Sequence, residues 1–274
     1  ELTGEEEELV AQLRSAFMNC EKLHKHVKLL YKKGSAYRIC NNNLLFHGCV
    51  PMNEDGSFTE ISVGGAPVKG AALFERFEQL ARAGFFAREG SSERKKGGDI
   101  LWYLWCGPDS PIYGRDRMTT FERLFIEDSA SHKEVKDAYY RLIDNEEVAA
   151  RILSAFGVDP EVGHIINGHV PVESKKGETP IKAGGKVLMI DGGFSKAYHE
   201  KTGIAGYTLV SNSHGMRLVA HEKFESTRQA IYQETDIVSD TFEVENFPRR
   251  RYVGDTDNGQ TLKRNIEDLE TLLE

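Results

Sequence analysis

The sequence predicts an α/β protein of the α+β kind, a strand-rich scaffold split by a helical insertion of about 90 residues from near Val68 to Gly157. Three observations predict it. A capped, helix-periodic segment opens the chain. Short apolar runs bounded by Gly, Asn and Asp lie on both sides of the central stretch. Within that stretch, apolar residues recur at helical spacing instead.

Taken in order, Thr3-Gly4-Glu5-Glu6 reads as a capping box, with Thr3 taking the third amide and Glu6 reaching back. The acidic run Glu5–Glu8 lies at the positive end of that helix and reads as a solvated face. Leu9, Leu13, Phe17, Leu23, Val27 and Leu30 follow the helical period, so one helix of about 28 residues is expected, stopped by Gly34. Ala36–Cys40 and Leu44–Val50 read as a hairpin turning through Asn41-Asn42-Asn43, residues tolerant of left-handed backbone. Phe58–Val63 reads as a further strand, ended by Gly64-Gly65. Val68 to Glu89 turns helical. Ser91–Gly98 reads as a loop, Ile100–Cys106 as an apolar Trp-rich segment, and Gly107–Met118 as a second loop. Helices are expected over Thr119–Ile126 and Asn145–Phe156, the latter capped by Asp144 and stopped by Gly157. Strands follow at Ile165-Ile166, Val187–Ile190, Tyr207–Ser211 and Met216–His221. A short helix at Glu225–Gln233, a strand at Asp236–Val244 and a helix at Asn258–Leu273 close the pattern. The segments are thus 1–67, 68–157 and 158–274, read as parts of one structural domain.

Composition narrows the function. A formal charge of −8 and a pI near 5.7 argue against a general nucleic-acid or membrane-surface binder. No apolar run is long enough to span a bilayer and no signal peptide is visible, so the expected location is cytoplasmic. The four cysteines, Cys20, Cys40, Cys49 and Cys106, form no CxxC pair and read as reduced, mostly buried thiols. The chain opens on Glu1, directly on a helix signal, which suggests a fragment or a processed chain.

Nine histidines are present, and two stand in distinctive settings. His47 ends the apolar run Leu44-Leu45-Phe46 and precedes Gly48, which allows close backbone approach. His169 repeats the design within Ile165-Ile166-Asn167-Gly168-His169-Val170-Pro171. Functional side chains favour loops held by rigid strands, and a neutral imidazole there suits zinc, manganese or iron. Both also fit ordinary structural histidines. Two imidazoles do not complete a metal site, which wants three or more protein ligands. Asp191, after Val187–Ile190, reads as a ligand, as a partner fixing a histidine tautomer, or as a turn-former before Gly192-Gly193.

Longer strings carry a resemblance. Leu44-Leu45-Phe46-His47-Gly48-Cys49-Val50-Pro51 and Asn167-Gly168-His169-Val170-Pro171 resemble histidine motifs of the calcineurin-like metallophosphoesterases. With Pro51–Gly56, Trp102–Pro108, His164–Val172 and Asp191–Tyr198, the whole chain resembles the C-terminal part of a class III fructose-1,6-bisphosphatase. The resemblance implies a four-layer α/β/β/α sandwich and a dinuclear manganese (Mn2+) site at the strand ends. It also implies hydrolysis of the 1-phosphate of fructose 1,6-bisphosphate. It makes His47 and His169 metal ligands, with Asn167 and Asp191 behind them, and Arg115 a grip on the phosphate. Arg115 also fits an ordinary loop cation. Lys182, Lys186, Lys196 and Arg117 are unranked candidates for the second phosphate. The family's Asp-x-His, Gly-Asp-x-x-Asp-Arg and Gly-Asn-His-Asp motifs are absent. The resemblance places them upstream of Glu1, in cis or as a separate chain. Alternatives are another metal-dependent phosphoesterase, or a non-catalytic C-terminal module. A homo-oligomer is compatible with all of these readings.

Overall fold

The computed structural model describes residues 2–191, 195, 199–203, 206–221, 226–234 and 239–273. Two compact units emerge, 1–36 and 37–274. The composition changes near 67 and 157 both fall inside the second.

The first unit holds α1 (Gly4–Met18) and α2 (Glu21–Lys33). The capping box at Thr3 and Glu6 forms as expected. The single long helix does not. Asn19 bonds back through its amide to the Ser15 carbonyl, and Cys20 leaves helical geometry at ψ 96° before α2 begins. Neither residue is a strong helix former, and Asn competes for its own backbone.

The second unit is built on a five-stranded mixed sheet. β1 (Tyr37–Cys40) and β2 (Asn43–Phe46) form the predicted hairpin, with Asn41 and Asn42 both at positive φ, 49° and 62°. β3 (Ile61–Val63) and β4 (Ala66–Val68) pair as a small hairpin across Gly64-Gly65, and Phe58 makes only an isolated bridge to Met52. The insertion supplies α3 (Ala71–Phe86), α4 (Ser92–Cys106), α5 (Thr120–Phe125), α6 (Tyr139–Leu142) and α7 (Glu146–Ala155).

Two expectations fail there for identifiable reasons. Ser91–Gly98 is not a loop, because Ser91 caps α4 by accepting from the Arg94 amide. Gly97 is a contact rather than a break: a Cβ on it would stand 2.3 Å from the Cα of Gly84, so the two glycines let α3 and α4 touch backbone to backbone. The cap of α7 is Asn145, not Asp144, its side chain accepting from the Glu147 and Val148 amides.

The scaffold resumes with β5 (His164–Asn167), β6 (Ile181–Lys182) and β7 (Val187–Met189). The sheet order is β1-β2-β5-β7-β6; β2, β5 and β7 run parallel and the edge strands antiparallel. After α8 (His199–Thr202), β8 (Gly206–Asn212), β9 (Gly215–His221), α9 (Thr227–Gln233) and β10 (Ser239–Asn246) follow, then α10 (Asp257–Leu273). β10-β9-β8 form a separate antiparallel sheet. The expected starts of the last short helix and last strand, Glu225 and Asp236, lie outside the described residues.

β5 and β7 are buried throughout, as central parallel strands require. One face of the sheet seats Phe46 among Phe74, Tyr139 and Phe156, with ring centroids 5.8–6.4 Å apart. The four cysteines are free, but only Cys49 is fully buried; Cys20 and Cys106 are partly covered and Cys40 is exposed. Cys40 sits exposed on the edge strand β1.

Candidate metal centre

β2 and β5 lie side by side in parallel, with Phe46 opposite Asn167 at their carboxyl ends. Ligand-binding crevices of such sheets form where parallel strands end. His47 leaves β2 there, and His169 leaves β5 two residues past Asn167. The two rings meet edge to face, with centroids 4.9 Å apart, and His169 Nδ1 lies 3.0 Å from His47 Nε2.

Three features hold that meeting. His169 adopts a left-handed backbone, φ 68°, unusual for a residue other than glycine and a strain that tertiary contacts must sustain. Asn167 is 1% exposed, and its Nδ2 donates to the His47 and Gly48 carbonyls at 3.0 and 2.8 Å, tying the end of β5 to the exit of β2. Gly48 admits the loop from Ser110 to Tyr113: a Cβ there would lie 2.2 Å from the Pro111 carbonyl oxygen. The Cys49 amide donates to that carbonyl at 2.8 Å. The same loop brings the Tyr113 carbonyl within 3.0 Å of His169 Nε2.

Protonation follows from these contacts. Burial pushes the His169 imidazole below its usual pKa, and His47 and Arg115 add to this against the Tyr113 carbonyl and the Asp191 charge. His169 is therefore neutral near pH 7. A carbonyl only accepts, so the proton of neutral His169 sits on Nε2 and its lone pair faces His47 from Nδ1. His47 Nε2–H then donates to His169 Nδ1.

The donor chemistry fits half of a metal site. Two imidazoles converge, one with its outer N–H on a backbone carbonyl, the usual support of a ligating histidine. Asn167 Oδ1 is buried with no hydrogen-bond partner among the described residues, an acceptor waiting for a donor. Among the described residues, no group of three or more His, Cys, Asp or Glu side chains could hold a metal.

The other predicted residues fall in different places. Asp191 follows β7, its carbonyl accepts from the Val172 amide at 2.9 Å, and its charge reaches His169. Arg115 lies two residues beyond Tyr113, its guanidinium 2.8 Å from Glu134. Arg117 pairs with Asp116 at 3.1 Å. Lys182 and Lys186 are not brought to the histidines. They sit at the amino end of β7, Lys182 against Asp144 at 3.3 Å and Lys186 donating to the Pro160 carbonyl at 2.7 Å. Lys196 lies outside the described residues.

The sequence reading missed the residues that brace the loop. Glu134 accepts from the Thr119 amide and from Arg115. Although burial opposes it, Thr119 and the Arg115 and Arg123 charges hold its carboxyl below the usual range. Asp137 accepts from the Met52 and Tyr139 amides at 3.2 and 2.8 Å, while its own amide donates to the Gly114 carbonyl. No motif marks either; a surface-like carboxylate two residues before Tyr139-Tyr140 gives no hint of burial.

A family profile described as Firmicute fructose-1,6-bisphosphatase matches residues 1–274. This chain belongs to that family. Relatives named fructose-1,6-bisphosphatase class 3 include one from Clostridium acetobutylicum, 54% identical over 272 residues, 99% of this chain and 41% of the relative. One from Clostridium novyi is 51% identical over 272 residues, again 99% and 41%. One from Alkaliphilus metalliredigens is 52% identical over 275 residues, 100% and 41%. The chain thus spans about two-fifths of the length of these class 3 fructose-1,6-bisphosphatases. No solved structure matches it. Among the described residues, no helix is long and apolar enough to cross a membrane.

Proposed function

We propose that this chain is the C-terminal part of a manganese-dependent fructose-1,6-bisphosphatase, supplying two imidazoles to a dinuclear site. The observation that carries the reading is the meeting of His47 and His169 at 3.0 Å on adjacent parallel strand ends, in a chain of this family. The remaining ligands come from a segment not within residues 1–274, joined in cis or present as a separate chain. With it, the mixed sheet completes a four-layer α/β/β/α sandwich. The expected setting is the cytoplasm.

His47 and His169 hold one metal without adding negative charge to a site that must accept a phosphate. Metal ions held there would supply a water of lowered pKa and positive charge for the phosphate oxygens. The Tyr113 carbonyl keeps His169 Nε2 protonated, so that Nδ1 offers its lone pair. For His47 to offer Nε2 as well, its proton shifts to Nδ1, and the two rings turn from each other toward a shared ion. Arg115 spends one donor on Glu134 and keeps four for the equatorial oxygens of a phosphoryl group.

A second reading has an observation of its own: no three-ligand cluster exists among the described residues, as a non-catalytic module would show. A chimera decides between them. This chain replaces the matching part of the Clostridium acetobutylicum relative, and phosphate release from fructose 1,6-bisphosphate is followed with manganese. The proposal expects turnover, lost by orders of magnitude on His169→Ala. A folded, metal-binding chimera that hydrolyses other phosphomonoesters but not this one sinks the substrate. Full turnover in His169→Ala sinks the site.

A further inference from the structure

We propose that α10 is a dimerisation helix, two copies of this chain pairing their α10 helices antiparallel about a twofold axis between Ile266 and Leu269.

The helix is tethered at its start and bare beyond it. The Asn41 amide donates to Asp257 Oδ2 at 2.6 Å, and the Asp257 amide donates back to Asn41 Oδ1 at 3.0 Å. Gly259 is tucked so close to Val253 that a Cβ would lie 1.8 Å from its carbonyl oxygen. Gly259 is also the only buried residue of α10. Leu262, Ile266, Leu269 and Leu273 follow at spacings of four, three and four, the seam of a two-stranded coil. They are 54%, 55%, 61% and 88% exposed. Helical stability in proteins comes mostly from packing an amphipathic face, so this exposed apolar stripe calls for a covering surface.

The charges name the occupant. Lys263 and Glu270 flank the stripe on one side, one heptad apart. In an antiparallel pair, the Leu262 and Leu273 layers of one copy meet those of the other in reverse order. Lys263 then faces Glu270 of the second copy, and the twofold repeats that ion pair. A parallel pair instead sets both charges beside Asn258 and Asn265. Lys263 Nζ donates to the Gly254 carbonyl at 3.0 Å within its own chain, and the ammonium keeps two further donors.

Sedimentation equilibrium of the whole chain at low salt tests this. We expect a reversible monomer–dimer equilibrium, weakened about tenfold by Lys263→Glu or by Glu270→Lys, and restored in the double reversal. Ile266→Asp removes the dimer, with far-UV circular dichroism reporting whether the fold is kept. A wild-type chain that stays monomeric at every concentration overturns the proposal, since the stripe is then covered within one polypeptide or not at all. A dimer indifferent to the single reversals, or one the double reversal fails to restore, also overturns it.

Discussion

β5 begins with a histidine at its amino end and is followed by one past its carboxyl end, and the buried His164 and the half-buried His169 stand in different surroundings. His164 pairs in register with Asn43, where a cavity of about 300 Å3 is lined by Asn43, His164, Glu245 and Arg251 among others. Burial lowers its pKa, aided by Lys186 and Arg251 and opposed by Glu245. Burial likewise lowers the pKa of His169. A depressed imidazole is therefore no mark of function here. The carboxyl end is distinguished by a second imidazole in contact, a left-handed backbone at the histidine itself and a carbonyl fixing its tautomer. The amino end has an unpaired asparagine acceptor of its own, Asn43 Oδ1, and left-handed backbone at Asn41 and Asn42, but among the described residues no second imidazole meets His164 there.

Breaking the carboxyl end gives the largest expected effect. In the chimera, His47→Ala and His169→Ala each weaken manganese binding by ~100-fold or more, at least the loss seen when a ligand's hydrogen-bond partner is removed. Isothermal titration calorimetry reads this directly. His164→Ala, at the other end, leaves that affinity unchanged within error.

Gly48→Ala forces a methyl onto the Pro111 carbonyl and pushes away the loop that carries Tyr113. It costs about 1–3 kcal/mol in urea unfolding and frees the His169 ring, seen as a changed ring-nitrogen shift. If stability and shift both stay put, the loop is not what holds the ring.

Asp137 gives a smaller, pH-dependent effect. Burial, against two amide donors, raises its carboxyl from 3.8 to about 6. The folded state thus holds a proton that the unfolded chain has lost, and stability falls as pH rises from 3.8 through 6. Asp137→Asn keeps the acceptor for Met52 and Tyr139 but removes the charge. It should stabilise the protein by ~1–2 kcal/mol at pH 8, discounted for partial exposure, and leave pH 4 unchanged. Destabilisation at pH 8 would mean that the charge itself is needed there.

The smallest effect sharpens the contrast. Lys182→Met and Lys186→Met, at the amino end of β7, should change the chimera's KM for fructose 1,6-bisphosphate by less than about twofold. A tenfold rise from either would bring that end of the sheet into the substrate site.

The histidine ends were legible because their signal is local: an apolar run, a histidine and a glycine in succession. That β2 and β5 lie parallel and adjacent was not, since register is decided by packing over 121 residues of separation. The glycines misled in one place and informed in another. Gly97 looked like a breaker but serves contact with Gly84, while Gly48 serves the close approach its position suggested. The Tyr113 carbonyl was invisible, because a backbone acceptor leaves no trace in residue identity. The break at Asn19-Cys20 turned on propensities whose signal in the sequence is fainter than the apolar period around them.

The most direct test of the central claim is the imidazole proton–nitrogen correlation spectrum of the chimera, which carries the remaining ligands, titrated with manganese. Paramagnetic broadening falls steeply with distance from the ion. The structure predicts that the ring signals of His47 and His169 vanish together at the lowest manganese, while those of His132, His164 and His214 persist. Loss of all ring signals in parallel, or retention of the His47 and His169 pair while another histidine vanishes, would contradict it.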